Sequence, residues 1–137
     1  AIKQGARVMS LSWGSETKSE FLSEALELAE SKGLIIVGSA GNEPTGEPHY
    51  PAAYGSVIGV GALAPDGRAW EKSNPGDFVD LYAPGFASLP VGYKGDPGMY
   101  AGTSIAAAFT ANRIAAILSK NPKATKEEIL ETLRRKP

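Results

Sequence analysis

The chain has 137 residues, no cysteine, one histidine, and a formal net charge of −1 from 14 basic and 15 acidic side chains. Without cysteine there is no disulfide, thiolate nucleophile or thiolate zinc site, and one histidine cannot build a multi-histidine metal centre. Near-neutral charge with 8% aromatics argues against nucleic-acid or membrane-surface binding by bulk charge, and no apolar run approaches the roughly 18–20 residues of a membrane span.

Hydrophobic residues make up 42% and charged residues 21%, so residues 1–137 read as one globular domain with one core. Glycine (16) and proline (10) exceed the roughly 12% usual for the pair, which implies many tight turns and close backbone approaches. The chain opens on Ala1 rather than Met and enters a strand within a few residues, as a processed piece of a longer protein would.

Residues 6–11 (ARVMSL) read as a short buried strand and 12–15 as loop. Thr17-x-x-Glu20 has the form of a capping box. Behind it Phe21, Leu22, Ala25, Leu28 and Ala29 share one helical face, and Gly33 is placed to stop the helix. Residues 34–38 (LIIVG) form a second strand, which completes a βαβ unit and predicts a parallel sheet with a right-handed crossover.

A long loop follows over 39–55, and loops of that length in a compact domain are more often functional than idle. Residues 56–63 and 78–82 are two more strands, and the Gly/Pro-rich stretch 86–100 reads as loop with a short hairpin. Eleven of the fifteen residues from 104 to 118 are apolar, which predicts a helix buried on most sides. Asn121-Pro122 ends it. Thr125-x-x-Glu128 then caps a last amphipathic helix with Ile129, Leu130 and Leu133 inward and basic residues 134–136 at its end. Four strands and three helices give too few layers to cover that central helix, so part of the domain is expected to be missing.

Several segments could carry chemistry. Gly59-Val60-Gly61-Ala62-Leu63-Ala64 fits a loose dinucleotide fingerprint, but Pro65-Asp66-Gly67 follows where a helix N-terminus is required, so it offers no phosphate site. Gly102-Thr103-Ser104 places a serine in the first turn of a helix, with an exposed hydroxyl and an N–H unpaired within the helix. Such an N–H can stabilise an oxyanion, although serine there is equally an ordinary cap. Asn42 follows the LIIVG strand, at the end of a parallel sheet where ligands bind, and reads either as a site amide or as an Asx-turn residue.

Five segments taken together are specific: VMSLSWG at 8–14, GLIIVGSAGNE at 33–43, YPAAYGSVIGVGA at 50–62, DLYAPG at 80–85 and YAGTSIAAAF at 100–109. In this order and spacing the chain resembles the subtilisin-like serine proteases, from about residue 5 to 135. The resemblance implies a three-layer α/β fold with a parallel sheet, here incomplete, as the C-terminal half of a catalytic domain whose central helix follows Ser104. It implies Ser104 as nucleophile of a serine endopeptidase, and Asn42 as oxyanion-hole donor beside the Ser104 N–H. Ser10, Leu11, Ser12 and Trp13 match the segment that pairs with substrate backbone. Gly38, Ser39, Ala40 and Gly41 match a wall of the pocket for the side chain before the scissile bond.

In that family the triad runs Asp, His, Ser along the chain, and the first two motifs are absent here. The implied partners are therefore a polypeptide substrate and a missing N-terminal half; the exposed sheet edge or helix could alternatively pair copies of the chain. The chain alone is expected to be inactive. His49 lies in the loop just before Tyr50-Pro51, which the resemblance matches to the rim of the substrate pocket, and reads as a solvated loop residue or as a residue shaping that pocket. No cofactor is implied. Asp80, near the carbonyls of Ala52, Tyr54 and Val57, resembles a weak cation site of some members, with Phe78 where a second acid could stand. Ala108 and Phe109 replace the usual Pro-His pair and Asn112 a usual Gly, so a non-catalytic binding or structural module is the alternative reading. Family members are mostly secreted.

Overall fold

The computed structural model describes residues 1–92 and 94–135. At its centre is a parallel sheet of four strands, β1 (Val8–Leu11), β2 (Ile35–Ser39), β3 (Val57–Leu63) and β4 (Leu81–Pro84), hydrogen-bonded in chain order. Helix α1 (Glu20–Ser31) connects β1 to β2. After β4 comes the antiparallel pair β5 (Phe86–Leu89) and β6 (Gly98–Ala101), then α2 (Thr103–Lys120) and α3 (Lys126–Arg135).

Alternation along the strands explains the layers. Ile35, Val37, Ile58, Val60 and Ala62 face α2 and α3, where Ala106, Ala107, Ile114, Leu118 and Ile129 close one core. Ile36 and Val57 face the other way, toward Leu26 and Ala29 of α1 with Leu34 and Tyr54. Both faces of the sheet are covered, so β2 is buried along its whole length and reads in sequence as an unbroken apolar run. This is the expected three-layer α/β architecture.

Several local expectations need correction. Ser19, not Thr17, caps α1: its Oγ accepts the Leu22 N–H at 3.2 Å. Tyr54 fixes this start, because its hydroxyl accepts the Ser19 N–H at 2.7 Å and donates to the Ser19 carbonyl at 2.8 Å. Thr17 instead closes a turn on Ser15 Oγ. The fourth strand begins at Leu81 rather than residue 78, since the Val79 N–H is bonded to Gly76 O in a turn. That strand runs on through Pro84, which a sheet edge tolerates because proline there withdraws no ladder donor.

Other expectations match. Gly33 takes a φ of 89° just beyond α1, the left-handed conformation that favours glycine after a helix. The Thr125–Glu128 capping box closes both ways, with Glu128 Oε2 accepting the Thr125 N–H at 3.0 Å and Thr125 Oγ1 accepting the Glu128 N–H at 3.2 Å. Of the basic residues expected at the end of α3, Arg134 and Arg135 occupy its last turn, and Lys136 lies outside the described residues.

Helix α2 is not buried all round. Thr103, Ala106, Ala107, Thr110, Ile114 and Leu118 face the core, while Ala108, Phe109, Asn112, Ala115 and Ala116 form an exposed stripe. Phe109 is 43% exposed. Among the described residues no helix is long and apolar enough to cross a membrane.

Candidate active site

The carboxyl ends of the parallel strands bring together two segments far apart in sequence. Beyond β2 the chain turns through Ala40 and Gly41, which has a φ of 102°, to Asn42. Beyond β6 it turns at Gly102 into α2. The first backbone donor of α2 is capped from a distance: Asn42 Oδ1 accepts the Thr103 N–H at 2.8 Å and the Thr103 hydroxyl at 2.9 Å. Thr103 Oγ1 in turn accepts the Gly41 N–H at 3.1 Å. Ser104 is therefore not an N-cap, and Asn42 is not an Asx-turn residue.

This latch orients the rest of Asn42. With Oδ1 committed to Thr103, the Nδ2 group is turned away and has no protein acceptor among the described residues. The Ser104 N–H also lacks an acceptor there, as the first turn of a helix dictates, while the N–H groups of Ile105 and Ala106 reach Gly102 O. Gly102 separates the two free donors. A Cβ on it would sit 3.5 Å from Asn42 Nδ2 and 3.8 Å from the Ser104 nitrogen. Its backbone is extended, with φ 164°, so the turn into α2 imposes no left-handed strain, and a Cβ here would only fill the open space before the amide at ordinary contact distance.

Ser10, Leu11, Ser12 and Trp13 form the end of β1 and its exit, on the edge of the sheet. Ser12 Oγ donates to the Ser104 carbonyl at 3.4 Å, which brings this segment against the start of α2. Ser10 is exposed, Leu11 half-buried and Trp13 53% exposed. Gly38, Ser39, Ala40 and Gly41 are all buried behind the site. A Cβ on Gly38 would meet Val57 Cγ1 at 2.9 Å and Ala52 Cα at 3.0 Å, so the end of β2 packs directly on the 51–57 segment.

A cleft of about 530 Å³ opens beside Asn42, with Ser15, Glu16, Glu43, Thr45, His49 and Asn74 in its walls. His49 is half-buried rather than solvated. Its ring occupies the space before Gly14 and Gly41, where added Cβ atoms would lie 2.5 and 3.3 Å from it. Burial lowers the His49 pKa below its ordinary value, and the nearby Glu16 carboxylate partly opposes that shift.

Two supporting residues escaped the sequence reading. Thr103 was seen only as a neighbour of Ser104, because nothing local reveals a partner across 61 positions. Asn74 is 3% exposed and holds the 40–47 loop: its Nδ2 donates to Ala40 O and Glu47 O, and its Oδ1 accepts the Gly46 N–H. A polar residue next to Pro75 gives no sequence signal of burial.

Asp80 shares a small pocket with Ala52, Tyr54 and Val57, the residues named with it in sequence. Asp80 Oδ2 accepts the Gly59 N–H at 2.8 Å, and Phe78 lines the pocket without a second acid. The Lys126 side chain lines the same pocket, and its ammonium donates to Gly55 O at 2.8 Å and Glu30 Oε2 at 3.0 Å. Among the described residues no group of three or more His, Asp or Glu side chains is placed to hold a metal.

The model of the subtilase family of peptidases matches residues 1–136. Subtilisin E of Bacillus subtilis (strain 168) is 34% identical over 137 residues, covering 97% of this chain and 36% of that protein. The major intracellular serine protease of the same organism is 32% identical, covering 96% of this chain and 43% of its own length. Among solved structures, sphericase superposes with a TM-score of 0.79 at 26% identity, covering 98% of this chain and 51% of that one. The prenylagaramide maturation protease PagA also reaches 0.79 at 26% identity, covering 89% and 47%. The chain spans between about a third and a half of the length of these relatives. With a family model matched from end to end and this fold beneath it, the chain belongs to the subtilase family.

Proposed function

We propose that this chain supplies the serine and oxyanion-hole half of a serine endopeptidase centre, with the triad Asp and His contributed by residues outside these 137. One observation carries the reading: the Thr103 latch turns the Asn42 amide outward beside the unpaired Ser104 N–H. Ser104 Oγ attacks a peptide carbonyl, and its proton passes to the external base. The carbonyl oxygen becomes an alkoxide that takes hydrogen bonds from Asn42 Nδ2 and the Ser104 N–H. Collapse releases the amine, protonated by the same base, and leaves an acyl-enzyme on Ser104 that water hydrolyses.

Beyond the end of β1, Ser12-Trp13 present backbone groups with which extended substrate can pair. Serine without a neighbouring base is a poor nucleophile at neutral pH, so the isolated chain is inactive. The exposed stripe of α2 and the β1 edge are covered by the other half of the domain.

The test is covalent labelling. A full-length protein carrying an upstream Asp-Ser/Thr-Gly strand end and a later His-Gly-Thr should react with a fluorophosphonate probe, and its Ser104→Ala variant should not. Labelling of both, or of neither, overturns Ser104 as nucleophile and leaves the chain as a binding or structural module of the same fold.

A further inference from the structure

We infer that the cleft beside Asn42 selects a cationic side chain, lysine or arginine, on the substrate residue whose carbonyl is attacked. This rests on the reading of Asn42 and Ser104 as the groups that hold that carbonyl. Asn42 is shared between the two features: it carries the free amide and also lines the cleft. A carbonyl placed against Nδ2 therefore puts the side chain of its own residue within reach of the cleft.

The lining decides what enters. Glu16 comes from the β1–α1 loop and Glu43 from the β2–β3 loop, and both line the one opening. Neither carboxylate has an ion-pair or hydrogen-bonding partner among the described residues. Neither lysine nor arginine lines the cleft. Around the acids stand hydroxyls, amides and the His49 ring, with no aliphatic side chain in the wall.

An apolar side chain would desolvate the two carboxylates there without pairing them. An anionic one would meet two carboxylates. A long cationic stem can reach the pair and hydrogen-bond the hydroxyl oxygens around it. At about 530 Å³ the space admits such a stem with solvent. Both carboxylates are exposed, so the preference is moderate, on the order of tenfold.

The experiment uses the full-length protein carrying Ser104→Ala and three peptide acids, acetyl-Ala-Ala-Pro-Arg, -Leu and -Glu, titrated by calorimetry at low salt. Each has the form of a cleavage product, with its carboxylate where the oxyanion forms. The arginine acid should bind about tenfold more tightly than the leucine acid and more tightly still than the glutamate acid. In Glu16→Gln/Glu43→Gln the arginine-to-leucine ratio should fall to within about twofold. Equal binding of arginine and leucine, or a preference that survives the double substitution, overturns the inference. Asn42→Asp reports separately on the underlying reading, because it keeps the acceptor for Thr103 and removes the amide donor. It should weaken all three peptides. If it weakens none, the Asn42 reading fails whatever the cleft prefers, and if no peptide binds at all both are overturned.

Discussion

Thr103 and Asn42 form a two-point latch across the sheet end, with both the N–H and the hydroxyl of Thr103 donating to one oxygen of the amide. Thr103 is 1% exposed, and its Oγ1 also accepts the buried Gly41 N–H. Thr103→Val keeps the shape but removes the hydroxyl, so Gly41 loses its acceptor and Asn42 one of two tethers. The expected cost is about 1–3 kcal/mol of stability, read from the urea midpoint. Thr103→Ser keeps all three bonds and should lose less than about 1 kcal/mol, the packing of one methyl. Equal effects from the two variants would mean that the hydroxyl does not carry the latch.

The same geometry separates binding from chemistry at Asn42. In a catalytically complete protein, Asn42→Ala removes a donor used once charge develops on oxygen. It should lower kcat by about 10²–10³-fold, the size known for such a donor in a subtilisin, with little change in KM. A loss carried by KM would point to ground-state binding instead.

The stripe of Ala108, Phe109, Asn112, Ala115 and Ala116 predicts how the chain behaves by itself. Apolar surface on an exposed helix face seeks a cover. The 137-residue chain should bind a dye specific for apolar surface and self-associate as concentration rises, and Phe109→Lys should reduce both. A monodisperse monomer by light scattering with no dye binding would contradict this.

Much of this was legible in sequence, for identifiable reasons. The βαβ unit, the Thr125–Glu128 box and the Gly33 stop are local signals, each written within a few residues. The order of motifs pointed to Ser104 and Asn42, and the structure brings Asn42 against Thr103, the neighbour of Ser104. What failed was decided by distant partners. Thr17 and Ser19 are both good caps, and Tyr54, 35 residues away, chooses Ser19. Of the two readings of His49, solvated loop and pocket wall, the structure selects the wall, and the choice depends on Gly14, 35 residues away, leaving room for the ring.

The glycines of β3 give a test with two graded outcomes. They sit inside a buried strand rather than in a phosphate loop, and each makes room for a neighbour. A Cβ at Gly59 would come 2.3 Å from the Phe78 carbonyl oxygen, a backbone atom with nowhere to go. At Gly61 it would meet the Tyr82 ring at 2.5 Å, but that ring is 38% exposed and can swing outward. Gly59→Ala should therefore cost about 1–3 kcal/mol or more, and Gly61→Ala clearly less. The reverse order in thermal melts would show that the strand relaxes differently.

The single histidine makes a clean pH experiment. Burial holds the His49 pKa below its unfolded value, with Glu16 acting weakly in the other direction. The native state thus binds this proton less readily than the unfolded chain, and stability must fall as pH drops. The contribution is fully present above the unfolded value of about 6.5, declines as pH falls below it, and is lost once pH has passed through the lowered native value. Urea midpoints should therefore decrease from pH 7.5 toward pH 5 in the parent chain and stay flatter in His49→Gln. Glu16→Gln removes the opposing charge and should steepen the decline. A slope unchanged by His49→Gln would assign the effect to carboxylates instead and remove His49 from the account.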